Sequence, residues 1–233
     1  MEYNQARDRL ASIEKLLGAL LTKLAARSQV PIEGMVVIGD GLNTVGMTAE
    51  ATKQYQKILD RAEADPKLGD NAKRAVTRVR SQLAGLLRRD GKFDEALRII
   101  DQLIKDNPNA LEPLMEKGRI LNDWSEQTPE RFNDAVAHWV MLRTRLQAQK
   151  NRPPEYYDVM YNVAACLVRE ADKSEDKGIV ADRAKKAEQV LKSSLVFSPK
   201  LNGPETVERY KALLRKAITL QGRSPDKEGH KSP

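Results

Sequence analysis

Residues 77–110, TRVRSQLAGLLRRDGKFDEALRIIDQLIKDNPNA, restrict the fold of this chain more than any other segment. Leu83, Ala84 and Leu87 recur at helical spacing behind Arg80, and Ala96, Ile100 and Ile104 do so in a second run. Gly91 separates the two runs and Pro108 ends the second. The segment therefore reads as a helical hairpin with one apolar stripe per helix. Such a hairpin cannot bury both stripes by itself, so it needs neighbours of the same kind. Aromatic residues are 5% and charged residues 31% of the chain, a balance suited to half-exposed helices rather than to a β-sandwich. The expected fold class is all-α.

The unit recurs. Gly118 follows Ala84 by 34 residues, with Leu114 and Leu121 on its helix face and Ala135, Trp139 and Leu142 on the next. A third copy carries Met160, Val163, Ala164 and Leu167, then Ala187, Leu191 and Pro199. The spacing resembles the tetratricopeptide repeat pattern W-x2-L-G-x2-Y…A-x3-F…P, with Arg80 at the Trp position and Ala84 at the Gly. The resemblance is good over 77–110 and degenerate over 111–150 and 157–199. It implies a right-handed α-solenoid of antiparallel helix pairs, about nine helices in all. Residues 1–221 are then one domain, with repeats over 71–199 and a capping helix at 204–221 begun by Pro204. The segment 222–233 lacks apolar periodicity and is expected to be a disordered tail.

The N-terminal part, 1–65, is expected to be a degenerate helix pair joined by a long loop, 28–47. Leu17, Gly18 and Leu21 supply the first half of the pattern, and Ala51 with Tyr55 the second. Leu10, Ile13, Leu17, Leu20 and Leu24 also fit coiled-coil a and d positions, which allows homo-oligomerisation through this helix. Further inserted turns are expected at 125–131 and 172–182, tolerated because closing a longer loop costs little.

Little in the chain suggests catalysis. Gly34–Asn43 is similar to the metal-binding GDGxND loop of haloacid-dehalogenase-type phosphatases, but Thr44 stands where that loop has Asp and no D-x-D motif precedes it. It reads as a turn in which Gly39 and Gly41 permit positive φ. His138 and His230 are far apart, and Cys166 is a single thiol with apolar neighbours, expected to be buried and inert. Asp94–Glu95 and Glu205–Glu208 sit at helix starts, where they favour the dipole. No phosphate-binding glycine motif occurs. A non-enzyme without catalytic, metal or cofactor residues is expected. No basic start followed by an apolar run opens the chain, and no stretch approaches the roughly 18 apolar residues of a membrane span. The expected location is the cytoplasm.

Residues 66–92 carry eight cations against Asp70 and Asp90 within a chain of net charge +7. In repeats of the resembled family, such first-helix positions line a concave groove. Carried over by position, the candidate partner-binding residues are Arg78, Gln82, Arg88 and Arg89, then Glu112, Glu116 and Arg119, then Tyr161, Asn162 and Arg169. Family members that clamp a carboxylate terminus use Lys, Asn and Arg; here only Asn162 fits, and Glu116 would repel the ligand. The resulting expectation is a scaffold binding a protein or peptide. The alternatives are binding of nucleic acid or an acidic partner through 66–92, which the acidic second copy disfavours for nucleic acid, or structural self-association.

Overall fold

A computed structural model describes residues 2–27, 29–65, 67–149 and 152–225. Among them are ten α-helices, one 3₁₀ turn and no strand, so the chain is all-α with one helix more than expected. It divides into two compact units, residues 1–120 and 121–233, with the boundary inside α6 (Leu111–Gln127). No helix among the described residues is long and apolar enough to cross a membrane.

The first unit holds α1 (Glu2–Ala25), α2 (Ile32–Thr44), α3 (Thr48–Ala64), α4 (Asp70–Arg89) and α5 (Phe93–Asp106), followed by the start of α6. From α1 to α5 each helix packs on the next, and α2 also touches α4. The helix α2 replaces the expected loop 28–47. Ile32, Met35, Val36, Ile38 and Leu42 are buried along it, and a helix covers them while satisfying its own backbone. The GDG segment is thus helical. Gly39 is there because a Cβ at this position would lie 2.5 Å from Cε1 of the buried Tyr55. Positive φ occurs instead at Gly46 (78°) and Gly91 (74°), which end α2 and α4.

Those two turns share one hydrogen-bond pattern. After α2, Val45 N–H donates to Gly41, Gly46 to Asn43 and Met47 to Leu42; after α4, Asp90 donates to Leu86, Gly91 to Arg88 and Lys92 to Leu87. Every member of the second set lies 45 residues beyond its counterpart. The same offset relates Gly39 to Ala84, Ala51 to Ala96 and Tyr55 to Ile100. The N-terminal hairpin is therefore α2–α3, not a pairing of α1 with α3. The helix α1 stands outside it, anchored by Gly18 and Leu21, with Leu10, Ile13, Leu16 and Leu20 exposed.

The second unit holds the end of α6, a 3₁₀ turn (Pro129–Arg131), α7 (Phe132–Gln147), α8 (Glu155–Lys173), α9 (Lys177–Phe197) and α10 (Pro204–Leu220). From α7 to α10 each helix packs on the next, and α8 touches α10. Of the residues expected as inserted turns, 128–131 and 174–176 do connect helices, whereas 125–127 extend α6 and 177–182 open α9. Asp176 caps α9, its carboxylate accepting from the N–H groups of Gly178 and Ile179. Only 174–176 remain between α8 and α9. Most of the expected tail, 226–233, lies outside the described residues.

Candidate partner-binding surface

Seven of the ten candidate residues belong to the first unit, and several meet there. Gln82, Arg88, Arg89, Glu112 and Glu116 line a shallow pocket of about 210 Å³ with Ser81 and Gly85. Helical spacing on α4 puts residues 78, 82, 85 and 89 in one stripe. The start of α6 supplies the acids opposite. Glu116 is buried and holds two cations, accepting from Arg88 Nε on Oε1 and Arg119 NH1 on Oε2, each at 2.8 Å. Ser81 donates to Glu112 at 3.4 Å. The carboxylate of Glu116 is thus enclosed between guanidinium groups, leaving a net positive cluster around it.

Arg78 and Arg89 occupy the solvent side. Arg78 pairs with Asp40 at 2.5 Å, and Asp40 accepts the hydroxyl of Tyr55 at 2.6 Å. Burial of Tyr55, followed by that hydrogen bond to Asp40, holds its phenol above the ordinary range. Arg89 is exposed, and among the described residues its hydrogen bonds are long, 3.3 Å to the Gly85 carbonyl and 3.4 Å to Asn43. Arg80 pairs with Asp106 at 3.6 Å. Three cations of the basic stretch, Arg78, Arg80 and Arg88, are therefore matched by carboxylates from other helices. The field over 66–92 is weaker than the sequence count suggests.

The three candidates in the second unit are engaged internally. The side chain of Asn162 donates to the Asp158 carbonyl at 2.8 Å and accepts from Asn122 at 3.4 Å. Arg169 donates to the Asn122 carbonyl at 3.0 Å and pairs with Glu126 at 2.9 Å. Tyr161 lies beside Tyr210, with the Arg209 guanidinium 4.5 Å from its ring centroid. These polar groups hold helices together.

Their hub, Asn122, was not among the candidates. It is buried, and its Oδ1 accepts from Trp139 Nε1 at 3.0 Å and from Cys166 Sγ at 2.8 Å. The sequence signal is a polar residue one turn after Gly118, on a stripe otherwise filled by Leu114, Gly118 and Leu121. Cys166 is buried as expected, and burial pushes its thiol up to about 12, so it stays protonated at neutral pH.

No protein-family model matches the chain, and no curated protein matches it. Among solved structures it is similar to the "Crystal structure of BtubC (BKLC) from P. vanneervenii", with 16% identity and a TM-score of 0.43. That likeness covers 97% of this chain and 94% of the other, and is too distant to carry a function.

Proposed function

We propose that this chain is a tetratricopeptide-like helical-repeat scaffold, coiled as a right-handed solenoid, that holds a protein or peptide partner and performs no catalysis. The observation that carries this reading is the repetition of one hairpin joint at Gly46 and Gly91. Contacts between alternate helices, α2 with α4 and α8 with α10, support stacked pairs. Arrays of this kind present long preformed surfaces, and recognition on them needs charge and shape rather than reactive groups.

The partner surface in this reading is the stripe of α4 around Arg78, Gln82 and Arg89, with Glu112 and Arg119 at its edge. Mixed charge there selects a partner with both acidic and basic groups. The test is capture of partners from an extract by the intact chain and by an Arg78→Glu/Arg89→Glu variant, with Arg88 left in place because it neutralises buried Glu116. A protein retained by the first and lost by the second supports the reading. Equal retention refutes the placement, and recovery of nucleic acid alone refutes the partner class.

The exposed apolar face of α1 favours a second reading, self-association, with Ile13 61% and Leu20 54% exposed at coiled-coil spacing and Leu16 exposed beside them. Light scattering on the intact chain and on an Ile13→Lys/Leu16→Lys/Leu20→Lys variant decides it: a monomer in both removes it.

A further inference from the structure

A second pocket lies wholly inside the second unit and shares no residue with the α4 stripe. Its walls come from the end of α7, Arg152 and the start of α8, and the end of α9, and its volume is about 510 Å³. That volume is within the range of small-ligand and peptide-anchor pockets, roughly 300–1,000 Å³.

The lining is chemically one-sided. Arg143 and Arg152 contribute two guanidinium groups, and among the described residues no carboxylate lines the pocket. The guanidinium of Arg143 lines the pocket, and its Nε is buried without a hydrogen-bond partner among the described residues. Arg152 stands with its guanidinium 5.1 Å from the Tyr156 ring centroid, which orients it without neutralising it. Tyr156, Tyr157, Met160 and Phe197 give the rest of the wall its apolar part, beside Gln147 and three serines. Tyr156 and Tyr157 meet edge to face at 5.6 Å between centroids. The Tyr157 hydroxyl shares a 2.6 Å hydrogen bond with Ser198, and its carbonyl accepts from the buried Tyr210 hydroxyl at 2.5 Å. At the end of α9, Phe197 is 82% exposed, an apolar ring with no cover.

Unmatched cations beside rigid rings and an open phenylalanine specify a ligand carrying negative charge and an apolar side chain together. A nucleic acid strand needs a continuous track of cations for successive phosphates, whereas this site is a single local pocket with two. We propose that this pocket is a peptide-anchor site, taking an internal acidic segment that bears an aromatic or long aliphatic residue. The acid meets Arg143 and Arg152, and the apolar side chain lies against Tyr156, Tyr157 and Phe197. The site is independent of the α4 stripe, so failure of one leaves the other standing.

The test is titration calorimetry of the full chain with the doubly capped peptide acetyl-EEFEE-amide, which has no terminal carboxylate. Saturable binding below about 1 mM is expected. It should weaken on the order of tenfold in Arg152→Glu and similarly in Phe197→Ala. Both side chains are exposed, so both variants should keep the native circular dichroism. The Arg78→Glu/Arg89→Glu variant should bind the peptide as the parent does. Replacing the central Phe of the peptide by Ser, or its Glu residues by Lys, should abolish binding. No binding at that concentration overturns the proposal, as does equal affinity in Arg152→Glu or loss in the α4 variant. Binding of a ten-nucleotide thymidine oligomer in place of the peptide overturns the ligand class.

Discussion

Replacing Gly39 by Ala should destabilise the first unit, although Gly→Ala inside a helix ordinarily stabilises by about 1 kcal/mol. The added Cβ would lie 2.5 Å from Tyr55 Cε1 and 2.8 Å from Cδ1. Carbon atoms sit comfortably at about 3.5–4.0 Å, so roughly 1 Å of movement must be found. The ring has nowhere to go: Tyr55 is fully buried, and its hydroxyl is bound to Asp40. Overpacking costs about 1–3 kcal/mol, and loss of the Tyr55–Asp40 bond about 1 more. Set against the propensity gain, the net loss is about 2 kcal/mol. Gly85→Ala is the control, because its Cβ would meet only Glu116 Oε1 at 3.8 Å, an ordinary contact. It should stabilise by about 0.5–1 kcal/mol, so the two substitutions should differ by close to 3 kcal/mol. Urea unfolding followed by circular dichroism measures both. Trp124 and Trp139 belong to the second unit, so tryptophan fluorescence separates its transition from that of the first. Equal stabilisation by both substitutions would refute the close-approach argument. A double variant, Gly39→Ala/Tyr55→Ile, restores the Ala84–Ile100 combination of the next hairpin and should lose less than the sum of its parts.

Asn122→Ala removes the acceptor of Trp139 Nε1 and Cys166 Sγ and should cost about 2 kcal/mol in the transition followed by tryptophan fluorescence. Arg88→Glu sets a second carboxylate against buried Glu116 and should cost about 2 kcal/mol, with Arg119 limiting the loss, whereas exposed Arg89→Glu should stay within about 0.5 kcal/mol. For Glu188, burial alone would raise the carboxyl, but hydrogen bonds from Arg223, Lys192 and Gln221 hold it at about 2. A folded value below the unfolded 4.5 adds stability that is full above 4.5 and lost as pH falls through about 2. Acid unfolding of Glu188→Gln should accordingly show a flatter stability profile between those limits than the parent.

The α4–α5 hairpin is legible in the sequence because each of its residues plays a single part, as apolar stripe, Gly joint or stop. The α2–α3 hairpin obeys the same spacing, with 12 residues from Gly39 to Ala51 as from Ala84 to Ala96. It is obscured because Gly39 and Gly41 look like turn residues, whereas Gly39 makes room for Tyr55 and Gly41 for Leu21. A glycine that admits a ring and one that permits positive φ are written with the same letter. The helical parts of the inserted segments, 125–127 and 177–182, are hidden for another reason: lengthening a helix by a turn keeps its stripe in contact, and composition cannot separate that from a loop. Among the candidate surface residues, the α4 stripe follows from helical periodicity, but Asn162 and Arg169 do not read as internal until Asn122 is seen between them. The pocket at Arg143 and Phe197 joins residues more than fifty positions apart, and no local pattern announces it.

Cys166 gives the second unit a built-in clock. It is the chain's single thiol, fully buried in α8 and protonated at neutral pH, so a thiol reagent can reach it only when that helix parts from its neighbours. The labelling rate at rising reagent concentration then separates two regimes. While it climbs with reagent, it reports how often the open form is populated; once it levels off, it reports how fast the helices separate. A single reaction on the unaltered chain would thereby measure both the depth and the height of the barrier guarding this core.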